Sequence, residues 1–398
     1  MARKLDVVFS DIEPGSALRA ALAMTPSDVI GLVSRSKLRG RGGAGFPTGI
    51  KWDTARRHEG AEKYIVCNAD EGEPGTFKDK NILERQTAKV LEGMAIGAYA
   101  IGASEGFIYL RGEYKYLVSD LARKIGEMKS QNLIGPDICH EKGFCFDIHI
   151  KLGSGSYVCG EETALLESLE SRRGEPRNKP PYPAESGFLG RPTVVNNVET
   201  LSFVPHILLN GADWFQQFGT EKSTGSKLFS VSGDCGKPGI YEFEFGITIR
   251  ELLKEIEADA GTKAVQIGGA SGFCACADDF DKPICFEGIP TGGSIIIFNK
   301  SRSMFRVLKN FVEFFQEESC GQCVPCREGC SRMLEGIEKF EKGKGSSKTI
   351  NDLLELSETM SLASKCGFGQ SVPNSFRTIA SKFKDEILSA GEGELWQS

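Results

Sequence analysis

Along the first half of the chain, hydrophobic and polar residues alternate between the periodicity of β-strands and that of α-helices. Short apolar runs at residues 64–67 and 107–110 and an alternation of polar and apolar residues at 146–152 predict three strands. Apolar residues at helical spacing over 82–103 and 117–128 predict helices between them. Strands separated by helices indicate an α/β domain with a largely parallel sheet.

The rest of the chain shows two further patterns. Two apolar runs joined through a Pro-Gly turn, a capping box at Thr248 and a last apolar run at 295–298 indicate a small α+β module with the element order of a β-grasp. From residue 303 onward, four amphipathic segments predict a helical bundle. We therefore expect three domains, and their boundaries are 1–225, 226–302 and 303–398.

Composition and charge narrow the classes of function. The 398 residues carry 48 Lys and Arg against 54 Asp and Glu, a net charge of −6, which argues against a nucleic-acid binder. The longest uncharged apolar stretch, between Glu92 and Glu105, is shorter than the ~20 residues that span a bilayer. The chain begins without an apolar segment of the signal-peptide type. We expect a cytoplasmic protein, free or in a complex at the membrane face, with no direct membrane insertion.

Cysteine is the unusual component of the chain, with 13 Cys against only 4 His. Cys320, Cys323 and Cys326 form a C-x2-C-x2-C motif, and Cys366 follows the third predicted helix of the bundle. Three closely spaced thiolates with a distant fourth are typical of a [4Fe–4S] cluster, whereas structural zinc more often takes two separated pairs. The sequence predicts a cluster that transfers single electrons. Buried thiols are the alternative interpretation, and it suits Cys330 on an apolar helix face.

A glycine-rich loop at residues 40–51 is the second candidate for chemistry. It contains five glycines together with Arg41 and Lys51. Its backbone N–H groups and two cations suit a planar cofactor that bears a phosphate. The loop satisfies G-x-G-x-x-G, but a helix precedes it and Pro47 follows, so the ordinary Rossmann context is absent.

Two more stretches follow predicted strands. The loop at 153–160 leads into a helix that begins with Glu161 and Glu162, so a ring or ribose suits its start better than a phosphate. The acidic stretch at 68–76 comes directly after the first strand, where parallel sheets bind ligands. Its three acids could hold Mg²⁺, bond a flavin ring and ribose hydroxyls, or form a solvated turn.

Five long stretches of the chain match one known pattern: LRGRGGAGFPTGIKW (38–52), CNADEGEPGTFKD (67–79), GSYVCGEETALLESLE (155–170), RPTVVNNVETL (191–201) and ESCGQCVPCREG (318–329). They resemble the NADH-oxidising flavoprotein subunit of respiratory complex I, a family shared with NAD-linked hydrogenases and formate dehydrogenases. The resemblance implies a Rossmann-like domain for FMN and NADH, then a β-grasp (SLBB-like) module and a four-helix bundle with a [4Fe–4S] cluster.

The same resemblance assigns residues by position. FMN is expected at Gly40, Arg41, Gly42, Gly43, Lys51, Asn68, Asp70, Glu71, Tyr157, Gly160, Glu161, Asn196, Asn197 and Thr200. NADH is expected at Phe46, Glu73, Glu162, Lys179 and Tyr182. Within that set, Glu73 and Glu162 are expected to serve catalysis by orienting the nicotinamide. The expected cluster ligands are Cys320, Cys323, Cys326 and Cys366.

The resemblance also implies partners: a thioredoxin-like [2Fe–2S] subunit and a larger iron–sulfur or catalytic subunit. A soluble, electron-bifurcating hydrogenase or formate dehydrogenase is favoured, and the NADH-input subunit of a membrane complex I and a non-catalytic electron relay are the alternatives. Thr54 stands where relatives often place a second aromatic residue, which leaves the choice between NADH and NADPH open. Cys274, Cys276 and Cys285 lie outside the family pattern, and thiols in a loop explain them more simply than a metal.

Overall fold

The computed structural model describes residues 2–58, 62–258 and 260–390. Its first sheet contains four parallel strands in the order β3-β2-β1-β4. The strands are β1 (Tyr64–Ala69), β2 (Glu105–Leu110), β3 (Asp147–Leu152) and β4 (Thr193–Asn197). β1 and β4 are buried almost throughout, as expected for parallel strands that are covered on both faces. The predicted α/β class is confirmed.

Ten helices accompany this sheet in the described part of the chain. They are α1 (Ser16–Leu22), α2 (Pro26–Arg35), α3 (Thr48–Arg56), α4 (Lys78–Arg85), α5 (Thr87–Ile101), α6 (Val118–Ser130), α7 (Glu162–Leu169), α8 (Pro183–Ser186), α9 (Val198–Asn210) and α10 (Ala212–Gln216). Thr25 caps α2 by accepting from the Asp28 backbone N–H. The helix predicted at 82–103 is two helices, because the non-helical backbone of Gln86, with φ −133°, separates α4 from α5.

Helix α5 is the central helix of this region and is buried on nearly all sides. It packs against α9 so closely that a Cβ at Gly93 would overlap the carbonyl oxygen of Leu201. A Cβ at Gly97 would likewise meet the side chain of Ile65 on β1. The Ala- and Gly-rich composition of this helix is therefore required by close packing between the sheet and α9.

A second sheet of five strands follows, in the order β6-β5-β9-β7-β8. Its elements are β5 (Ser226–Gly233), β6 (Gly239–Glu244), α11 (Ile249–Glu255), β7 (Thr262–Ile267), β8 (Phe273–Ala275) and β9 (Ser294–Asn299). β5 and β9 pair in parallel, and the other pairs are antiparallel. The predicted capping box is present, since Thr248 and Glu251 bond each other's backbone N–H groups.

Helices alone make up the last described part of the chain. They are α12 (Met304–Glu318), α13 (Val324–Glu341), α14 (Ser347–Ala363), α15 (Gly367–Ser371), α16 (Pro373–Lys382) and α17 (Lys384–Leu388). The fourth predicted helix is divided at Phe383, whose φ of −123° separates α16 from α17. Through residues 2–58, 62–258 and 260–390, every helix is too short or too polar to cross a bilayer.

The three regions contact one another. The Leu5 backbone N–H donates to the Glu242 carbonyl at 2.9 Å, so the start of the chain lies along the second sheet. The apolar core around α12–α16 includes Ala264, Ala270 and Cys274 from the second sheet and its turns. The expected division into three domains stays a prediction, although the second sheet begins at Ser226 and the helices begin at Met304.

Candidate cofactor and substrate site

A cavity of about 430 Å³ lies at the carboxyl ends of β1 and β4. This edge of a parallel sheet is the usual ligand site of α/β proteins. Many residues singled out by the sequence line it: Gly42, Gly43, Asn68, Asp70, Glu71, Glu73, Tyr157, Gly160, Glu161 and Asn197. The structure thus brings together the glycine-rich loop, the acidic stretch after β1, the loop before α7 and the end of β4.

The acidic stretch is held by hydrogen bonds of its own. The Asn68 side chain donates to the Gly160 carbonyl at 2.9 Å, and its oxygen accepts from the Asp70 N–H at 3.1 Å. Glu71 accepts from the Asp79 N–H at 2.8 Å and the Lys80 N–H at 3.1 Å, at the start of α4. Burial raises the pKa of both Asp70 and Glu71 to about 7. Both acids therefore titrate near neutral pH.

Glu73 lies in the same wall. It accepts from the Tyr157 hydroxyl at 2.6 Å, from the Ser271 hydroxyl at 2.7 Å and from the Ser271 N–H at 3.2 Å. Burial raises the pKa of Glu73, and the hydrogen bonds from Tyr157 and Ser271 oppose that rise. Ser271 belongs to the turn between β7 and β8, so the second sheet contributes directly to this site.

A buried group of charges borders the cavity. No pattern in the sequence predicted it. The Lys78 ammonium lies 2.6 Å from Asp79, 3.0 Å from Glu199 and 3.2 Å from the Asn197 amide oxygen. Lys227 of β5 contacts Glu199 at 2.5 Å. All four charged side chains are almost inaccessible to solvent. Lys78 is the only cation among the described residues that line the cavity.

The glycine-rich loop contributes backbone to the cavity but not its two cations. Arg41 is 1% exposed, and its guanidinium donates to the Arg39 and Thr224 carbonyls at 2.9 and 2.8 Å, away from the cavity. Burial lowers its pKa to about 10. The Arg41 N–H donates to the Thr200 hydroxyl at 2.8 Å, which anchors the loop to α9. Arg41 and Thr200 therefore hold the loop in place, while Gly42 and Gly43 line the cavity.

Lys51 belongs to a separate group of charges beside the cavity. Its ammonium lies 2.9 Å from Glu162 and 3.0 Å from the Val195 carbonyl. Lys179 contacts Glu161 at 2.8 Å and Glu162 at 3.1 Å. Although burial opposes it, these two lysines lower the pKa of Glu162 and keep it ionised. Glu161 also caps α7 by accepting from two backbone N–H groups.

Other expected binding residues also lie outside the cavity lining. Phe46 and Tyr182 are half exposed, and the Phe46 ring lies 6.0 Å from the Lys51 ammonium. The Asn196 side chain accepts from the indole N–H of Trp52 at 2.9 Å, and the Gly40 N–H donates to the Phe46 carbonyl at 2.9 Å. Their expected contacts with FMN or NADH stay predictions.

Further lining residues come from the other two regions of the chain and were not predicted from the sequence. The turn 268–272 and residues 290–292 reach the cavity from the second sheet. Phe368 and Asn374 reach it from the C-terminal helices. The available signal was the glycine spacing of GGASG and TGG in those stretches, which permits close backbone approach.

The four expected cluster ligands lie around the junction of α12, α13 and α15. Cys320 and Cys323 precede α13, Cys326 is in its first turn, and Cys366 caps α15. Burial raises the pKa of Cys320, and the neighbouring thiols Cys326 and Cys323 add to the effect. Burial likewise raises the pKa of Cys366, with Glu161 and Cys320 contributing. The cysteines thus stand at or just before the starts of α13 and α15, two helices that contact each other.

Their arrangement differs from that of a site for one metal ion. No three His, Cys, Asp or Glu side chains in the described ranges are grouped closely enough to hold a single ion. Tetrahedral zinc would place its thiolates roughly 3.8 Å apart, since each Zn–S bond is about 2.3 Å. A cubane binds one thiolate at each of four irons, so its ligands stand farther apart. A donor set of four thiols at the starts of two helices fits an iron–sulfur cluster in its chemistry.

The cavity also fits a flavin in chemical terms. The buried Thr76 hydroxyl has no hydrogen-bond partner and borders the cavity. Gly43, with φ of +127°, faces open space on the side where a Cβ would stand. A planar ring with ribityl hydroxyls suits these features. The Thr76 hydroxyl can take a hydrogen-bond partner, the backbone at Gly43 is accessible, and the amide and carboxyl groups of the wall can bond the ring.

Two models of known protein families match this chain. Residues 33–206 match the Nuo51 FMN-binding domain, and residues 306–390 match the NADH-ubiquinone oxidoreductase-F iron–sulfur binding region. The first match contains the glycine-rich loop, the acidic stretch and the end of β4. The second contains all four cysteines of the predicted cluster.

Individual relatives cover nearly all of this chain. The alpha subunit of the NAD-reducing hydrogenase HoxS of Cupriavidus necator is 46% identical over 371 residues, which are 93% of this chain and 62% of that subunit. An NADH-quinone oxidoreductase subunit of Rhizobium meliloti is 40% identical over 410 residues, which are 98% and 96% of the two chains. The chain thus spans less than two thirds of the hydrogenase subunit but nearly all of the quinone oxidoreductase subunit.

A solved structure gives the same result for the fold. The crystal structure of an NAD+-reducing [NiFe]-hydrogenase in the H2-reduced state superposes with a TM-score of 0.90 and 39% sequence identity. The match covers 96% of this chain and 65% of the hydrogenase chain. The parallel sheet and the C-terminal helices described above are therefore shared with that structure.

Proposed function

This chain belongs to the family of FMN-binding, iron–sulfur-binding NADH oxidoreductase subunits, and on that premise we propose that it is the FMN-dependent diaphorase subunit of a larger oxidoreductase. It oxidises NADH, or reduces NAD in the opposite direction, and passes electrons singly to partner iron–sulfur subunits. The observation that carries this proposal is the shared wall of the cavity, where the acidic stretch after β1 faces Phe368, two residues from Cys366.

The cofactors of this proposal are FMN, one [4Fe–4S] cluster and NAD(H) as substrate. When bound, FMN supplies the exchange between the electron pair of a hydride and single electrons. In the proposed site, Asn68, Asp70 and Asn197 bind polar groups of the flavin, and Gly42 and Gly43 allow close approach of backbone N–H groups. Cys320, Cys323, Cys326 and Cys366 hold the cluster.

The chain's own groups also orient the nicotinamide substrate. The exposed rings of Phe46 and Tyr182, together with Lys179, suit the adenine and pyrophosphate of NADH. Lys51 and Lys179 lower the pKa of Glu162 and keep it ionised. Glu73 borders the cavity and is fixed by hydrogen bonds from the Tyr157 and Ser271 hydroxyls. A fixed orientation of this kind brings reacting rings into a productive stack.

Aromatic packing separates the cavity from the cysteines. The Tyr157 ring contacts Phe314 and Phe368, with ring centroids 5.1 and 5.5 Å apart, and Phe368 also lines the cavity. This packing excludes water between the two proposed redox sites. It also keeps them within a few side chains of each other, which suits transfer of single electrons.

The finer assignments belong to the same proposal. The strand order β6-β5-β9-β7-β8, in which β5 and β9 pair in parallel, supports a β-grasp module, and α12, α13, α14 and α16 support a four-helix bundle. We assign the chain to a cytoplasmic, electron-bifurcating complex of the hydrogenase type, with a thioredoxin-like [2Fe–2S] subunit and a larger iron–sulfur subunit as partners. The 46% identity to a NAD-reducing hydrogenase subunit supports that assignment over the membrane complex.

Anaerobic purification followed by visible spectroscopy tests the proposal. We expect a flavin band that NADH bleaches, together with broad cluster absorption. Cys323→Ser should lower the iron content and stop electron delivery to the partner, while NADH-dependent dye reduction persists. Cys145→Ser is the matched control, since this exposed thiol lies outside the cluster region. Cluster absorption without flavin, and no response to NADH, would favour the electron-relay alternative.

A further inference from the structure

The turn between β7 and β8 approaches Glu73 more closely than any side chain would allow. Gly268 and Gly269 both have positive φ, at +88° and +66°, which bends the backbone toward the first region. A Cβ on Gly269 would overlap the carboxylate of Glu73. The position therefore requires glycine both for its backbone conformation and for its distance from the carboxylate.

This turn places Ser271 directly against the carboxylate. The Ser271 hydroxyl donates to Glu73 Oε2 at 2.7 Å, and its backbone N–H donates to Oε1 at 3.2 Å. Both oxygens of the carboxylate are thereby held from the second sheet. The Tyr157 hydroxyl donates to the same oxygen, Oε2, at 2.6 Å.

A third region of the chain supports the turn. The Asn374 amide on α16 donates to the Ser271 carbonyl at 2.9 Å. Asn374 lines the cavity with Phe368, which packs on the ring of Tyr157. Glu73 therefore accepts from two hydroxyls, and the C-terminal helices support both: Asn374 of α16 bonds Ser271, and Phe368 of α15 packs on Tyr157.

We propose that Ser271 is a positioning residue of the reaction, which fixes the orientation of Glu73 and links that carboxylate through Asn374 to the C-terminal helices. The proposal rests on the proposed function for the role of Glu73 toward the nicotinamide, but the link between Ser271 and Glu73 stands on the hydrogen bonds alone. It gives the second sheet a task in the site.

The direction of the effect follows from the charges around Glu73. Burial disfavours its carboxylate, and each hydroxyl that donates to it stabilises the ionised form. Tyr157 is the titratable group in direct contact, and Glu318 of α12 lies behind it, accepting from the Tyr157 N–H. The remaining titratable groups of the cavity are Asp70, Glu71, Lys78, Asp79 and Glu161. Loss of the Ser271 hydroxyl therefore raises the pKa of Glu73.

Infrared spectroscopy of the FMN-loaded, NADH-free protein tests the proposal. The protonated-carboxyl band of Glu73 is assigned by its loss in Glu73→Gln and followed across pH. In Ser271→Ala we expect the midpoint of that band to move upward by about one pH unit, the size expected for one hydrogen bond to a charged group. Ser271→Thr should restore the wild-type midpoint. Ser381→Ala, which removes an exposed hydroxyl of α16, should leave it unchanged.

A pair of larger variants protects the test against loss of folding or of FMN in Ser271→Ala. Thr and Val have the same shape and differ in one hydroxyl, so Ser271→Thr and Ser271→Val separate the hydrogen bond from packing. We expect the upward shift in the Val variant only. Equal midpoints in the two variants, or in wild type and Ser271→Ala, would overturn the proposal.

NADH titration distinguishes this inference from the proposed function. With the function correct, Ser271→Ala changes the NADH dissociation constant several-fold in parallel with the Glu73 midpoint. A change in NADH affinity without a shift of the Glu73 band would overturn the positioning role, because Ser271 would then act on NADH directly. Wild-type protein that loads FMN but ignores NADH would refute the proposed function, while the infrared midpoints would still decide the role of Ser271.

Discussion

The glycine-rich loop at 40–51 and the acidic segment at 68–79 meet at one cavity and contribute to it in opposite ways. The loop offers backbone, because Arg41 points into the core and Lys51 pairs with Glu162. The acidic segment offers side chains, and it also supplies Lys78, the cation that borders the cavity. A cation within a glycine-rich stretch of sequence therefore does not show which charged side chain will border the cavity.

The difference has a physical cause. Arg41 is surrounded by aromatic rings and donates to two carbonyl oxygens that have to be satisfied once buried. Lys78 stays charged in the interior because Asp79 and Glu199 pair with it, and these anions raise its pKa although burial opposes them. Buried charge is tolerated where partners converge, and that depends on residues far apart in the chain.

Removal of Lys78, the cation of the acidic segment, should lower the stability of the protein more than any other change considered below. Lys78→Met leaves Glu199 buried with Lys227, and Asp79 buried with only the Asn197 amide as its donor, so we expect the free energy of unfolding to fall by about 3–5 kcal/mol. Chemical denaturation of the apoprotein measures it. Lys80→Met, two residues further along and outside the buried group, is the control and should cost less than about 0.5 kcal/mol. If Lys78→Met lowers the free energy of unfolding by less than about 1 kcal/mol, the buried charges beside the cavity do not act as an ion-pair network.

Removing the arginine of the glycine loop should act on stability more than on FMN binding. Arg41→Met deprives two buried carbonyl oxygens of their donor, and we expect a loss of about 2–3 kcal/mol. FMN affinity of the folded fraction should stay within about threefold, since a lost charged contact with phosphate would cost tenfold or more. Denaturation and FMN titration measure the two quantities. Arg57→Met, at an exposed i,i+4 pair, is the control. If Arg41→Met binds FMN much more weakly but keeps the wild-type free energy of unfolding, the Arg41 guanidinium contacts the FMN phosphate.

The acids should give the apoprotein a characteristic dependence on pH. The pKa values of Asp70 and Glu71 are raised to about 7 in the folded chain, so the folded state binds more protons than the unfolded state between about pH 4 and pH 7. Their contribution to stability is fully present at low pH and is lost as pH rises through 7. We expect the melting temperature to fall from pH 5 to pH 8, and to fall less in Asp70→Asn. An unchanged slope in that variant would mean that Asp70 is ionised throughout.

Removal of Lys51, the second cation of the glycine-rich loop, should lower the stability of the protein least. Lys51 and Glu162 are partly exposed, and Glu162 keeps Lys179, so Lys51→Met should cost at most about 1 kcal/mol. The pKa of Glu162 should rise, because Lys51 helps to lower it. We expect a higher KM for NADH at an unchanged FMN content, measured by steady-state kinetics and flavin release. Loss of FMN with an unchanged KM would instead place Lys51 at the flavin phosphate.

Local patterns in the sequence predicted the parts of this protein that depend on near neighbours. The capping box at Thr248 and three of the four strands of the first sheet followed from spacing alone, because the signals for them lie within a few positions of one another. The interruptions at Gln86 and Phe383 were missed, since the apolar period continues across both. Local periodicity reports which face is buried and carries no information about a single residue of non-helical backbone.

For the site, the sequence by itself determined the chemical inventory: glycines for close backbone approach, carboxylates after a buried strand, and four thiols at the spacing of a cluster. The tertiary structure alone decided which of these groups share a cavity. It turned Arg41 inward, brought Lys227 to Glu199, and delivered Ser271 and Asn374 from regions about 200 and 300 residues away from Glu73. The reason is that buried polar groups have to find partners, and once the chain is compact those partners are fixed by packing rather than by distance along the sequence.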